Sequence, residues 1–238
     1  MAVSTAPATE KSKHSEIVVS PVFNQLIRAA DLLHDPSATG DAKAGLGFDL
    51  KSLRGRLVEV SSSRPSAGLS IICTLLLNAQ KHSAPVAWIS VTRDSFYPPD
   101  LAANGVDLSV LPVVWVPDAP GAIRAADWLL QTGAFSLLVI DLYGNHRSPT
   151  SLQFPRVRQA HLAKLARLTH SHGCTVCFLT FKSEAAQSLG SMISLFVRVC
   201  RSRDAGGRFR LELQVVKDKR RAPVWKHVEQ IDGPPGLC

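Results

Sequence analysis

The sequence predicts an α/β protein: a mostly parallel, twisted sheet flanked by helices, with antiparallel strands at its C-terminal edge and a separate N-terminal helix. Three observations predict it. Short, almost wholly apolar runs such as Leu137–Ile140 and Thr175–Thr180 alternate with helical patterns, the signature of strands buried on both faces. After Gly190 the helices stop, and two β-type runs flank Asp204-Ala205-Gly206-Gly207, a hairpin spacer. The chain has 238 residues with 45% apolar and 19% charged side chains, enough for a sizeable core and against global disorder.

Residues 1–14 are polar and read as a disordered tail. Residues 15–47 read as a helix and a linker. Ser20-Pro21 supplies an N-cap with proline in the first turn, and Val22, Phe23, Leu26, Ile27, Ala30 and Leu33 recur at helical spacing. Asp35-Pro36-Ser37 stops that helix. The core domain is expected over residues 48–232 and a short tail over 233–238. Within the core, strands are expected at Leu57–Ser61, Val86–Val91, Val113–Val116, Leu137–Asp141, Thr175–Thr180, Ile193–Arg201 and Phe209–Lys217, with Val224–Ile231 as a further candidate. Helices are expected at Leu69–Gln80, Ala122–Leu130 and Phe154–His170.

Charge is unevenly spread. Lys and Arg number 27 against 19 Asp and Glu, a net +8. Residues 1–141 carry 11 basic and 13 acidic side chains, whereas residues 142–238 carry 16 and 6. The basic character belongs to the C-terminal part, which fits a polyanionic or acidic partner. Five scattered cysteines make no disulfide framework. No apolar run approaches the roughly 20 residues of a membrane span, and no secretory pattern opens the chain. The expectation is a cytoplasmic, nucleoid-associated protein without membrane contact.

The strand–turn–helix after Val58-Glu59-Val60 is where an α/β protein cradles phosphate, in the form G-x-x-x-x-G-K-[ST]. Here it reads Ser63-Arg64-Pro65-Ser66-Ala67-Gly68-Leu69-Ser70. Gly68 and Ser70 keep their places. Ser63 replaces the first glycine, and Leu69 replaces the lysine whose ammonium neutralises transferring phosphates. Leu137–Asp141 has the shape of a Walker B strand, with Asp141 where a Mg²⁺-holding carboxylate would stand; an ordinary strand ending in Asp has the same pattern.

These residues resemble the RecA recombinase core. The resemblance is carried by Leu53-Arg54-Gly55-Arg56-Leu57-Val58-Glu59-Val60, by Ala87-Trp88-Ile89 with Asn104-Gly105-Val106-Asp107, and by Leu213-Gln214-Val215-Val216-Lys217-Asp218-Lys219 with Ala222-Pro223 and Lys226. It runs from about Gly45 to Pro235 and implies a RecA-like core fold. The departures from that family are specific. Thr92 stands where it has a water-activating Glu, and Phe181 or Lys182 stands where it has a γ-phosphate-sensing Gln. The loop after that strand is shortened, to about Lys182–Gly190. Size, N-terminal helix and degenerate P-loop are similar to the ImuA family, RecA-like accessory proteins of SOS mutagenesis.

That resemblance implies a non-enzymatic adaptor in translesion synthesis, without cofactor. Its partners would be the RecA recombinase, the Y-family-like polymerase homologue ImuB and an error-prone C-family polymerase. Three rivals stand beside it: an ATPase working as an oligomer, a stand-alone DNA-binding module, and a division inhibitor similar to SulA. Lys217 and Lys219 match the pair that in RecA-like filaments reaches the neighbouring protomer's nucleotide, which marks them as a recombinase interface; a solvated strand face is the plain alternative. Arg147, Arg156, Arg158, Lys164 and Arg167, with Lys182, Arg220 and Arg221, form the basic set. They fit DNA contact (with Phe154 stacking on a base), an acidic partner, or an exposed amphipathic helix. His170, His172, Cys174 and Cys177 have the residue types of a zinc site, but a buried strand would turn the two cysteines to opposite faces, so no metal is expected.

Overall fold

The structure is a computed structural model that describes residues 48–63, 65–93, 96–143, 157–203, 209–222 and 226–231. The predicted N-terminal tail, helix and linker, the hairpin spacer, the C-terminal tail, and Arg147, Phe154 and Arg156 lie outside the described residues.

Eight strands form one sheet in the order β3-β2-β4-β5-β1-β6-β7-β8. They are β1 (Leu57–Ser62), β2 (Val86–Ser90), β3 (Val113–Trp115), β4 (Leu137–Asp141), β5 (Thr175–Phe181), β6 (Leu195–Arg203), β7 (Phe209–Asp218) and β8 (Lys226–Ile231). The first six pair in parallel, and β6, β7 and β8 pair antiparallel. This is the predicted architecture, with one refinement. The strand after Gly190 starts at Leu195, not Ile193, and joins the parallel core by pairing with β1. Ile193 instead packs into the core, and antiparallel pairing begins only at β7.

The helices are α1 (Leu50–Leu53), α2 (Pro65–Lys81), α3 (Pro98–Ala103), α4 (Ala119–Gln131) and α5 (Gln159–His172). Sequence periodicity finds α2, α4 and α5 but misses α1 and α3, which are too short to show a period. Their signals are local: Asp49 caps α1 through Ser52 in a capping box, and consecutive prolines open α3. Helix α2 covers one face of the sheet, over Val58, Val60, Trp88, Val139, Cys177 and Leu179. Helices α4 and α5 cover the other, over Leu57, Ala87, Ile89, Leu138, Val176 and Phe178. Alternate strand residues go to opposite layers, so β1 and β5 are buried on both sides. Among the described residues no helix is long and apolar enough to cross a membrane.

The base of the sheet is tied by a buried ion pair. Arg56, just before β1, meets the Asp218 carboxylate at the end of β7, with side-chain exposures of 4% and 0%. Its guanidinium also donates to Ser194 Oγ at 3.1 Å and Ser194 O at 2.9 Å. Burial pulls the Arg56 pKa down while Asp218 opposes that shift. Removing one member of such a pair strands the other charge in the interior. Arg56→Leu is therefore expected to cost about 3–5 kcal/mol in urea denaturation, and the Arg56→Leu/Asp218→Leu double variant to lose less than the single.

Candidate functional site

In P-loop proteins, phosphate is held by a loop whose N–H groups wrap it before the helix begins. Here β1 ends at Ser62 and α2 already starts at Pro65. Only two positions separate the strand from the helix, and Gly68 lies within the helix. Pro65 is the physical cause, since its fixed φ is pre-organised for a first helical turn. Sequence periodicity starts this helix four residues late, at Leu69. That side chain is half-buried against the α2-side core. Ser63 is exposed, whereas Ser70 and Thr92 are half-buried.

The ends of β1 and β4 are bridged by a residue that sequence reasoning missed, Tyr143. Its hydroxyl lies 3.0 Å from Ser62 Oγ. It also sits against Gly68, where an added Cβ would stand 1.9 Å from the phenol oxygen. Burial raises the Tyr143 pKa well above the usual tyrosine value, and the nearby Asp141 carboxylate adds to the rise. Asp141 itself has no exposed surface. Its Oδ1 accepts the Tyr143 N–H at 2.9 Å, and Ser90 Oγ lies 3.3 Å from its Oδ2. The same hydroxyl donates to Thr92 O at 2.7 Å. Tyr143 thus contacts Gly68 through its phenol and Asp141 through its backbone, and Ser90 links Asp141 to Thr92. Beside the end of β1 a cleft of about 110 Å³ opens between Ser61–Ser63 and Arg198, Cys200 and Gln214. Small-molecule sites usually enclose several hundred Å³.

Lys182 corrects the basic-surface expectation. It is buried, and its ammonium pairs with the Glu59 carboxylate on β1. Glu59 Oε1 also accepts from Thr180 Oγ1 at 3.0 Å, and Oε2 from the Leu189 N–H at 2.7 Å. Lys182 donates further to Gln187 O at 3.0 Å. A carboxylate inside the sheet needs such a counter-charge and full hydrogen bonding. Lys182 is therefore a structural cation, and its chain position beside an apolar strand gave no sign of this.

The loop after β5 is pinned from several elements. Gln159 Nε2 donates to Leu189 O at 3.2 Å, and Arg198 Nη2 to Ala186 O at 3.1 Å. Lys217 reaches Gly190 O at 3.3 Å and Ser191 O at 3.4 Å. A bulge between Phe196 and Val197 sets Lys217 opposite Phe196 and Val215 opposite Val197. Directly opposed residues share a face, so Lys217 turns away from the α2 side, where Val215 and Val197 pack. It is half-buried, and its pKa is lowered by burial and then by Lys219. Lys219 lies just past β7 and is exposed.

The remaining cations are scattered. Arg158, just before α5, and Arg167 on it are exposed, while Lys164 pairs with Asp127 of α4 at 2.6 Å. Arg220 and Arg221 are exposed at the base of the sheet, away from that helix face. Cys174 packs on the α4–α5 side and Cys177 on the α2 side, so one ion cannot take both. Burial pushes the Cys174 thiol up to about 12.

No protein-family model matches the chain. Two curated relatives are RecA proteins. That of Saccharopolyspora erythraea is 28% identical over 145 residues, 57% of this chain and 42% of the relative. That of a Nocardioides species is 35% identical over 89 residues, 37% of this chain and 25% of the relative. The chain thus spans less than half the length of either. A crystal structure of the RadB recombinase superposes with a TM-score of 0.57 at 16% identity, covering 77% of this chain and 93% of that one. The fold is that of a RecA-like recombinase core.

The Gly68–Tyr143 contact is testable by coupling. Gly68→Ala drives a methyl into the phenol oxygen and is expected to cost about 1–3 kcal/mol. In a Tyr143→Phe background the cost falls, because the clashing atom is gone. Urea denaturation of the four species gives the coupling energy directly.

Proposed function

We propose that this chain is a non-catalytic RecA-like adaptor of SOS-induced mutagenic repair, akin to ImuA, that docks on a recombinase protomer. In this reading it links that protomer to ImuB and an error-prone C-family polymerase. One observation carries the loss of catalysis: α2 begins at Pro65, with Leu69 in the lysine's position and the Tyr143 phenol against Gly68. A phosphate cradle needs free N–H groups and a cation at that point. Thr92 in place of a water-activating carboxylate supports the same reading, as does Asp141 held by Tyr143 and Ser90. Docking is supported by the partial sequence likeness to RecA and by the retained Lys217-Asp218-Lys219 segment, whose second lysine is exposed. A protomer that presents this segment but lacks its own nucleotide site would join a filament from one side.

The experiment is biolayer interferometry of the chain on the host recombinase, with and without ATP and single-stranded DNA, beside an ATP turnover assay. Saturable binding is expected, weakened by at least about tenfold in Lys219→Glu, in line with reversal of an interfacial charge. Lys219 is the cleaner variant, because Lys217 also holds the β5–β6 loop. ATP turnover is expected at background, unchanged by Asp141→Ala. Turnover that disappears with Asp141→Ala, or absence of recombinase binding, would overturn the reading.

A further inference from the structure

Three chain segments far apart in sequence meet at Gly55: the lead-in to β1, the end of α5 and the turn after β7. Gly55 has φ +71°, a conformation in which glycine is favoured. A Cβ there would lie 3.6 Å from Arg220 Nη2 and 3.8 Å from His170 Nδ1. Arg220 Nη2 also lies 3.5 Å from Gly55 O. On the other side, a Cβ on Gly173 would stand 2.6 Å from Arg54 Nε. Arg54, His170, Arg220 and Arg221 are all exposed.

We propose that this base of the sheet, formed by Arg54, Arg220 and Arg221 around His170, is a contact surface for a nucleic-acid phosphate backbone. The proposal goes beyond the adaptor reading and does not depend on it. It takes one of the partners that the sequence leaves open for Arg220 and Arg221, and it adds Arg54 and His170.

Four observations favour it. First, the charge is uncompensated. Among the described residues, Arg54, Arg220 and Arg221 have no carboxylate within ion-pair distance. The acid beside them, Asp218, has a buried side chain that pairs with Arg56 and accepts the Arg220 N–H at 2.9 Å. Arg220 and Arg221 also depress the Arg56 pKa, as neighbouring positive charges must. Second, the cations are all arginine, whose planar fork fits phosphate oxygens in pairs. Third, the frame is rigid. The buried Arg56–Asp218 pair fixes the two strand ends from which Arg54 and Arg220 project, each two residues away. Fourth, among the described residues the exposed large apolar side chains are Tyr97, Val110, Trp115, Trp128, Val216 and Val228, and none belongs to the three segments. A protein interface of useful affinity is built around such anchors, whereas backbone binding is chiefly electrostatic and sequence-independent. The carbonyl end of α5 points into the patch, but its roughly half negative charge is outweighed by three guanidinium groups.

The test is fluorescence anisotropy of a labelled oligo-dT 30-mer titrated with the full chain at several salt concentrations. Salt-dependent binding is expected for the parent. The Arg54→Ala/Arg220→Ala/Arg221→Ala variant is expected to bind at least about tenfold more weakly, with a log–log salt slope shallower by about 2, near 0.7 per lost phosphate contact. Because Arg54 packs against Gly173, Arg220→Ala/Arg221→Ala serves as a second variant confined to exposed side chains, with a slope change of about 1.4. Arg124→Ala on α4 should match the parent. No binding by the parent, an unchanged slope in both variants, or displacement by polyglutamate of equal charge as effective as by unlabelled oligonucleotide would each overturn the proposal. No recombinase is present in this assay, so its failure would leave the adaptor reading standing, and the converse holds.

Discussion

A carboxylate with no exposed surface sits in the central strand of the sheet, and much of the molecule is arranged to accommodate it. Glu59 is flanked by apolar strands, where an isolated charge would be very costly. Its oxygens are met by the Lys182 ammonium, the Thr180 hydroxyl and the Leu189 N–H. Two of these three partners belong to the segment after β5. Neutralising one buried group therefore folds that segment down over the α4–α5 side. Gln159, Arg198 and Lys217 then bind carbonyls the folded segment presents. A surface loop in a sheet protein is ordinarily the freest part of the chain. Here its course is dictated from within the core.

The two ends of the sheet have opposite characters. Open α/β sheets usually bind ligands in the crevice at the carboxyl ends of their parallel strands. In this chain that crevice holds Tyr143, packed on Gly68 and hydrogen-bonded to Ser62, with Asp141 turned to the Tyr143 backbone. The space is taken by the protein's own side chains, leaving a small cleft beside it. At the amino ends, Arg56 and Asp218 cancel each other in the interior, while further arginines stand outside. Among the described residues, one end of the sheet is packed around Tyr143, and the other carries exposed arginines.

The layered fold is legible in the sequence because burial on both faces demands continuous apolar runs, and those runs stand out. The same periodicity assigns Cys174 and Cys177 to opposite faces, which is how they pack. The departures from the P-loop pattern are equally plain, since they are local. The missed side-chain roles depend on long-range contacts. Tyr143 gains its meaning from Ser62, 81 residues earlier, and Lys182 from Glu59, 123 residues earlier. Arg220 lies beside Gly55 across 165 residues. Neither the strand period of two nor the helical period carries such information. A lysine just after an apolar strand looks like a solvated cap until its partner inside the sheet is known. The early start of α2 was within reach, since Pro65 marks a first turn; apolar spacing alone overlooks it.

Net charge, in turn, is a poor guide to where positive potential lies. The C-terminal part of the chain holds most of the excess, yet several of its lysines are spent internally. Lys182 is buried against Glu59, Lys217 is half-buried on loop carbonyls, Lys164 pairs with Asp127, and Lys226 lies 3.2 Å from Glu212. A paired cation contributes little field beyond a Debye length of roughly 10 Å. Among the described residues, exposed arginines without an ion pair include Arg158 and Arg167 at α5 and Arg220 and Arg221 in the turn after β7. The second group gains Arg54 from the slightly acidic part of the chain, so this group of arginines crosses the boundary that composition draws. It is the fold, by tying the end of β7 to the start of β1 through Arg56 and Asp218, that brings arginines from two parts of the sequence with opposite net charge together.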